Sequence, residues 1–228
     1  KYPADEKPED APPKLEAPTP DLAALQARAA RTKEQQEQAP GDFERMADAL
    51  KQGVKVVSAH QLFPTPSAIA RQLVELADIR PGQKVLEPSA GTGNLIQAIY
   101  ERIFADCLIL QAVEINGELV RTLEEYRQKV LHANDYNFKI ERADFLEWNG
   151  ESTYHRIIMN PPFENASDIK HVLHAFSMLK PGGKLAAIVA NGPRQQEQLK
   201  PIASRWIDLP AGSFAPSGTN VNTAMILL

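Results

Sequence analysis

The sequence carries one short segment whose residue types suit nucleophilic chemistry, the tetrapeptide Asn160-Pro161-Pro162-Phe163, which directly follows the apolar run 156–159. Consecutive prolines restrict the backbone, so the Asn160 side chain and the Pro161 carbonyl point in fixed directions. Both oxygens can accept hydrogen bonds from a planar amino group, which makes its nitrogen more tetrahedral and frees the lone pair to attack an electrophile. Phe163 offers a face for stacking a base turned out of its helix. The tetrapeptide therefore predicts a catalytic site for an amine substrate.

A glycine-rich turn earlier in the chain is the predicted cofactor site. An apolar strand at 85–86 ends at Glu87 and runs through this turn into a helix. Glycines allow a sharp bend and a close approach of a ligand to the backbone. A carboxylate at the strand end suits a cationic amino acid and repels a pyrophosphate, so the motif favours S-adenosylmethionine over a nucleotide phosphate. The residues expected to bind this cofactor are Glu87, Pro88, Ser89, Ala90, Gly91, Gly93 and Asn94.

Acidic residues also follow the next two predicted strands. Glu114, with Ile115 after it, ends the second strand, where a carboxylate can accept both hydroxyl protons of a ribose. Asp144 follows the third strand and can accept a hydrogen bond from the N6 amine of the cofactor's adenine, with Phe145 packing on the ring. Two plainer interpretations stay open: Glu114 as a charge at a helix N-terminus and Asp144 as an ordinary loop residue.

These motifs are embedded in an alternation of strands and helices over residues 42–228. We predict strands at 85–86, 108–113, 138–142, 156–159, 185–190, 206–209 and 223–228, and helices at 43–54, from Pro66 to 77, at 95–104, 119–131, 169–179 and 195–204. The segment 180–183, Lys-Pro-Gly-Gly, is expected to end the helix before it. Such alternation predicts an α/β fold with a mostly parallel, seven-stranded sheet and a final antiparallel hairpin.

Composition sets the remaining expectations. Residues 1–41 are rich in Pro, Ala and Gln and are predicted to be a flexible arm or linker. No leader segment and no apolar membrane span are visible, and Cys107, the one cysteine of the 228 residues, reads as a buried core thiol, so a cytoplasmic location is expected. The net charge of −4 argues mildly against a dedicated nucleic-acid scaffold but permits a transient contact.

The tetrapeptide and the block 87–93 together resemble the amino-methyltransferases, and specifically the DNA N6-adenine methyltransferases of restriction–modification systems and of phages or plasmids. The resemblance covers about residues 55–228 and implies the Rossmann-like class I methyltransferase fold. The cofactor element precedes the tetrapeptide, which is similar to the gamma arrangement of that family. It implies methyl transfer from S-adenosylmethionine to a flipped-out adenine in DNA.

Further roles follow only from this resemblance. Phe63, Thr65 and Pro66 would help to hold the methionine part of the cofactor, and Phe214, in a loop beside the target base, is a weaker candidate for contacting that base. Family members of this order usually carry a C-terminal recognition domain, whereas this sequence ends at its seventh strand. Target recognition would then come from loops, from the N-terminal arm, or from a protein partner or second copy.

Alternative functions stay open. Asn-Pro-Pro-Phe also occurs in ribosomal RNA guanine-N2 methyltransferases, and Asn-Pro-Pro-Tyr in protein glutamine methyltransferases, so an RNA or protein amine is an alternative substrate. A non-catalytic subunit or anti-restriction protein could keep the same fold. We predict no metal site, because His171 and His174 share a helix without suitably spaced acidic ligands, and His171 could equally be a polar residue on an exposed face.

Overall fold

The structure is a computed structural model that describes residues 63–103, 108–130, 137–150 and 153–228. The predicted arm over 1–41, the boundary at residue 42, the helix at 43–54 and Cys107 lie outside the described residues. The helices are α1 Ser67–Ala77, α2 Asn94–Arg102, α3 Gly117–Val130, α4 Ser167–Ser177 and α5 Pro193–Leu199. The strands are β1 Lys84–Glu87, β2 Ile109–Glu114, β3 Phe138–Arg142, β4 Tyr154–Met159, β5 Leu179–Ala190, β6 Arg205–Asp208 and β7 Thr223–Leu227.

The seven strands form one sheet in the order β3-β2-β1-β4-β5-β7-β6. β1 pairs in parallel with β2 and β4, β2 with β3, and β4 with β5. β7 is inserted between β5 and β6 and is antiparallel to both. The predicted α/β fold, with a mostly parallel sheet and a final antiparallel hairpin, is therefore confirmed.

Alternating side chains of the central strands bury both faces of the sheet. In β4, Ile158 packs into one core with α1 and α2, whereas Ile157 and Met159 pack into the opposite core with α4. All three side chains are completely buried. A parallel sheet covered by helices on both faces requires such continuous apolar strands, which is why the runs in the sequence were recognisable.

The prediction for residues 180–183 was wrong in one respect. α4 ends at Ser177, before this segment, and the Pro-Gly-Gly sequence lies within the first half of β5. The partner of β4 changes from Leu179 to Lys184 while β4 advances only from Tyr154 to Arg156. This irregularity is a bulge, and Gly182 takes up the left-handed conformation there with φ 75°.

α1 begins one residue later than predicted. Pro66 precedes its first residue, Ser67. The helix ends at Ala77, and its C-cap residue Asp78 is left-handed with φ 50° and donates its N–H to the Glu75 carbonyl. None of the helices in the described ranges combines the length and apolar character that a membrane crossing requires.

Candidate active site

The carboxyl ends of β1, β2 and β4 lie side by side, and the segments that follow them enclose a cavity of about 570 Å³. Ligand cavities of α/β proteins commonly occupy this edge of the sheet. The predicted residues in its lining are Phe63, Thr65, Glu87, Pro88, Ser89, Ala90, Gly91, Asn94, Glu114, Ile115, Asp144, Phe145, Asn160, Pro161, Pro162 and Phe163. One cavity thus collects five segments that are spread over about a hundred residues of the sequence.

The glycine turn is held to β2 by hydrogen bonds. The Gly91 N–H donates to Glu114 Oε2 at 2.7 Å, and the Ala90 N–H donates to the Val113 carbonyl at 3.0 Å. Gly91 has φ 54° and Gly93 has φ 83°, values that glycine adopts without strain. The turn is therefore a preformed wall of the cavity.

Glu87 is an ionisable side chain buried at the end of β1, with 1% of its surface exposed. Burial, reinforced by the negative charge of Glu114, raises the pKa of Glu87 well above its usual range. Its Oε2 atom has no hydrogen-bond partner among the described residues. A cationic ligand group, such as the amine of an amino acid, would satisfy this oxygen and favour the ionised carboxylate.

The Glu114 carboxylate accepts a backbone hydrogen bond at each oxygen, from Gly91 at Oε2 and from Asn116 at Oε1, the latter at 2.8 Å. Each carboxylate oxygen has a second lone pair, so ribose hydroxyls could still donate to it. Asn116 fills the capping role of α3, because its Oδ1 accepts from the Glu118 N–H at 2.9 Å. The helix therefore does not need Glu114 as its cap.

Asp144 and Phe145 differ in how they are held. Asp144 is exposed at the cavity rim, and its Oδ1 accepts from the Leu146 N–H at 2.9 Å. The Phe145 ring is 3% exposed and packs edge-on against His174, with ring centroids 4.8 Å apart. Phe145 is thus tied to the core beneath α4, whereas Ile115, 62% exposed, presents an apolar side chain at the rim.

The Asn160 side chain has a fixed orientation. Its Nδ2 donates to the Phe63 carbonyl at 3.2 Å and to Thr65 Oγ1 at 3.0 Å, which uses both amide hydrogens. Its Oδ1 is buried and has no partner among the described residues. An unpaired buried oxygen costs about 1–3 kcal/mol, so the site carries an acceptor that a donating ligand would satisfy.

Phe163 and Phe214 meet as an edge-on pair, with centroids 6.3 Å apart and an interplanar angle of 85°. Phe163 is half-buried and lines the cavity, but Phe214 is completely buried in the core and does not line it. Phe214 therefore supports the Phe163 ring from behind, and its predicted contact with a substrate base does not fit this burial.

The structure also revises several other site predictions. Pro66 and Gly93 lie beside the cavity but not in its lining. His171 lines the cavity and is 8% exposed, so its interpretation as an exposed surface residue was wrong. Its Nδ1 lies 2.8 Å from the Ser167 carbonyl one helical turn earlier, and burial lowers the pKa of His171. A serine four residues before a histidine on the apolar side of a helix was the signal that sequence reasoning missed.

The comparison with protein families decides the classification. The model of the methyltransferase small domain matches residues 56–205, well over half of the chain. The chain belongs to the methyltransferase small domain family. Together with its fold, this membership makes S-adenosylmethionine the cofactor and methyl transfer the reaction class of the domain.

Curated relatives of this methyltransferase differ in substrate. The ubiquinone/menaquinone biosynthesis C-methyltransferase UbiE of Hydrogenovibrio crunogenus is 26% identical over 65% of this chain and 54% of its own length. The ribosomal RNA small subunit methyltransferase A of Syntrophus aciditrophicus is 30% identical over 50% of this chain and 40% of its own length. The modification methylase CviBIII of Paramecium bursaria Chlorella virus NC1A is 29% identical over 57% of this chain and 32% of its own length. The chain thus spans about a third to a half of the length of these relatives.

Solved structures share the fold at low identity. A modification subunit of a putative type I restriction enzyme from Vibrio vulnificus superposes with a TM-score of 0.64, 19% identity, and coverage of 81% of this methyltransferase and 47% of that chain. A putative RNA methyltransferase from Pyrococcus horikoshii superposes with a TM-score of 0.58 and 20% identity, and the match covers 83% of this chain and 96% of that chain. A putative class I S-adenosylmethionine-dependent methyltransferase from Listeria monocytogenes superposes with a TM-score of 0.59 and 17% identity, and the match covers 78% of this chain and 64% of that chain. These likenesses show the class I methyltransferase fold.

Proposed function

We propose that this methyltransferase transfers a methyl group from S-adenosylmethionine to the N6 amine of adenine in DNA. The observation that carries the proposal is the Asn160 amide, whose nitrogen is fully engaged and whose Oδ1 is a buried acceptor without a partner among the described residues. An exocyclic amine has the donor hydrogens that this oxygen requires. A carbon nucleophile lacks them, so the site favours methylation of nitrogen.

The cavity contains groups that match the parts of the cofactor. Glu87 would bind the amine of the methionine portion, Glu114 the ribose hydroxyls, and Asp144 the adenine amine, with Phe63 and Thr65 near the methionine portion. When bound, S-adenosylmethionine would supply an electrophilic methyl group: a nitrogen–methyl bond would form as the sulfur–methyl bond breaks, the thioether sulfur would keep the electron pair, and the methylated amine would release one proton to water.

The substrate amine would lie between two fixed acceptors. Asn160 Oδ1 and the Pro161 carbonyl would accept its two hydrogens, which draws the nitrogen toward a tetrahedral geometry and frees its lone pair. Phe163, held by Phe214, would stack on the base. Because a paired base in a duplex cannot reach such a cavity, the adenine would have to be flipped out or already unpaired.

Two further observations support DNA as the substrate. The modification methylase among the relatives and the type I modification subunit among the structural neighbours belong to modification systems by name.

The net charge of −4 disfavours strong non-specific attraction to phosphates. We therefore propose that a protein partner or a second copy contributes to target recognition.

RNA is the second candidate substrate. The ribosomal RNA small subunit methyltransferase A among the relatives and the putative RNA methyltransferase among the structural neighbours favour it. The chemistry of Asn160 would be the same, because a nucleobase amine in RNA offers the same hydrogens. The two candidates differ in which base carries the amine, adenine in DNA or guanine or adenine in RNA, and in how that base is delivered.

The test is transfer of labelled methyl from S-adenosylmethionine to duplex DNA, single-stranded DNA and ribosomal RNA, followed by mass spectrometry of the modified base. We expect N6-methyladenine in DNA. Methylated RNA alone would replace the proposal with the second candidate. Absence of transfer at saturating concentrations of cofactor and of each nucleic acid, where weak recognition no longer limits the reaction, would contradict both.

Asn160→Ala is the decisive variant in this assay. Removing the acceptor should reduce methyl transfer about 100-fold or more while cofactor affinity, measured by calorimetry, changes only a few-fold. Asn149→Ala is the matched control, because Asn149 is an exposed asparagine outside the cavity lining. Equal transfer rates of the two variants would contradict the role of Asn160.

A further inference from the structure

The segment Phe63-Pro64-Thr65, called the strap below, is held at the cavity edge by each of its three carbonyl groups. The Phe63 carbonyl accepts from Asn160 Nδ2 at 3.2 Å, and the Pro64 carbonyl accepts from Ser217 Oγ at 2.6 Å. The Thr65 carbonyl accepts from Asn94 Nδ2 at 2.7 Å. The donors lie after β4, before β7 and at the start of α2, so three separate parts of the fold fix the strap.

The strap decides which way the Asn160 amide faces. An amide side chain has nearly the same shape when its oxygen and nitrogen are exchanged, so only hydrogen bonding can select one orientation. The Phe63 carbonyl can only accept, and Thr65 Oγ1 lies 3.0 Å from the same Nδ2. With the strap in place, the nitrogen must face it and Oδ1 must face away from it.

We infer that Thr65 is a positioning residue for methyl transfer, acting through Asn160 by fixing and polarising its amide. This inference rests on the proposed function, because it assumes that Asn160 Oδ1 receives the substrate amine. Thr65 is 5% exposed, so its hydroxyl meets little competition from water. The role differs from the cofactor contact that the sequence resemblance implies for this residue.

Two chemical consequences follow from this arrangement. An amide that donates both of its hydrogens carries more negative charge on its oxygen, which strengthens Oδ1 as an acceptor. The strap also requires asparagine rather than aspartate at this position. In an Asn160→Asp variant, a carboxylate oxygen would face the Phe63 carbonyl, and the two acceptors would repel each other unless the acid is protonated.

The first experiment compares Thr65→Val with Thr65→Ser. Valine keeps the shape but removes the hydroxyl acceptor, whereas serine keeps the acceptor. Loss of the hydrogen bond from Asn160 Nδ2 to the Thr65 hydroxyl, which holds and polarises the amide, should slow single-turnover methyl transfer about tenfold in Thr65→Val, with the cofactor dissociation constant changed less than about threefold. Thr65→Ser should retain most of the wild-type rate.

Three results of this comparison would overturn the inference. The rate of Thr65→Val could equal that of the wild type, its defect could lie entirely in cofactor affinity, or Thr65→Ser could be as slow as Thr65→Val. A loss confined to cofactor affinity would return Thr65 to the role that the resemblance implies.

A second experiment needs no substrate and therefore separates this inference from the proposed function. The side-chain amide protons of Asn160 can be assigned by nuclear magnetic resonance from the signal pair that disappears in Asn160→Ala. Hydrogen bonds to the strap should make them exchange slowly with water in the wild type, and about tenfold faster in Thr65→Val but not in Thr65→Ser.

The two experiments together distinguish the failures. Slow exchange that depends on the Thr65 hydroxyl, in a protein that methylates no nucleic acid, would support the contact and refute the proposed function. An active wild type whose Asn160 protons exchange equally fast in all three forms would support the function and refute the positioning role of Thr65.

Discussion

Substitution of Gly93 tests whether the glycine turn needs glycine because it packs closely against the core. A Cβ atom added there would lie 2.8 Å from Leu123 Cδ2, and Leu123 is 1% exposed in the core. Gly82 has nearly the same φ, +80° against +83°, but has no described atom within 4 Å of an added Cβ. The pair separates the cost of left-handed backbone from the cost of close packing.

The magnitudes follow from these two environments. A left-handed alanine costs about 1–2 kcal/mol, partly offset by about 0.4–1 kcal/mol because alanine restricts the unfolded chain. Gly82→Ala should therefore destabilise the protein by about 1 kcal/mol. Gly93→Ala adds an overpacking cost of about 1–3 kcal/mol, because α3 must shift or Leu123 must leave its rotamer.

The assay is urea denaturation of the cofactor-free protein, followed by calorimetry of cofactor binding to each folded variant. Truncation of Leu123 should remove the clash, so Gly93→Ala should cost about 1–3 kcal/mol less in a Leu123→Ala background than in the wild type. Cofactor affinity should stay near that of the wild type, because Gly93 does not line the cavity. Equal destabilisation by Gly82→Ala and Gly93→Ala, or strict additivity in the cycle, would refute the packing argument.

Two predictions concern buried acids. Burial raises the pKa of Glu87, so the folded state holds its proton more tightly than the unfolded state, and the free energy of unfolding should fall as pH rises above the usual glutamate range. Cofactor binding should tighten over the same pH range, because the carboxylate that receives the cofactor's amine becomes ionised. Glu87→Gln should abolish both effects in denaturation and binding measurements, and an unchanged slope of stability against pH would contradict the assignment. Asp168 is completely buried and accepts hydrogen bonds from the Ala190 N–H at 2.9 Å and from Gln195 Nε2 at 3.0 Å. Asp168→Ala should therefore lower the free energy of unfolding by about 2–4 kcal/mol in urea denaturation. The control Asp208→Ala should lower it by less than about 1 kcal/mol, because the hydrogen bonds of Asp208 are exposed.

The strands were predictable because burial on both faces leaves a strong local signal. The five residues of β3 were predicted with their observed bounds, and the β6–β7 hairpin was recognised from its two apolar runs. The bulge in β5 was not, since Pro-Gly-Gly ordinarily ends an element and only pairing with β4 carries the strand through it.

The site was predictable to the extent that its residues follow strand ends. Parallel strands bring Glu87, Glu114 and Asn160 to the same edge of the sheet, so their positions at strand ends in the sequence were sufficient to predict that they line one site. The burial of Phe214 depends on which elements pack over it, which no local pattern encodes, whereas the place of His171 on the apolar side of α4 could have been read from the sequence. The cofactor contacts stay predictions, which binding of S-adenosylmethionine to the single-site variants tests.

The antiparallel direction of β7 has a practical consequence for handling the protein. Because β7 runs from Thr223, paired with Ala190, to Leu227, paired with Ala186, its last residue lies away from the strand ends that form the cavity. A tether attached near Leu227 would therefore leave the cavity facing solution, so biosensor immobilisation should use that end of β7.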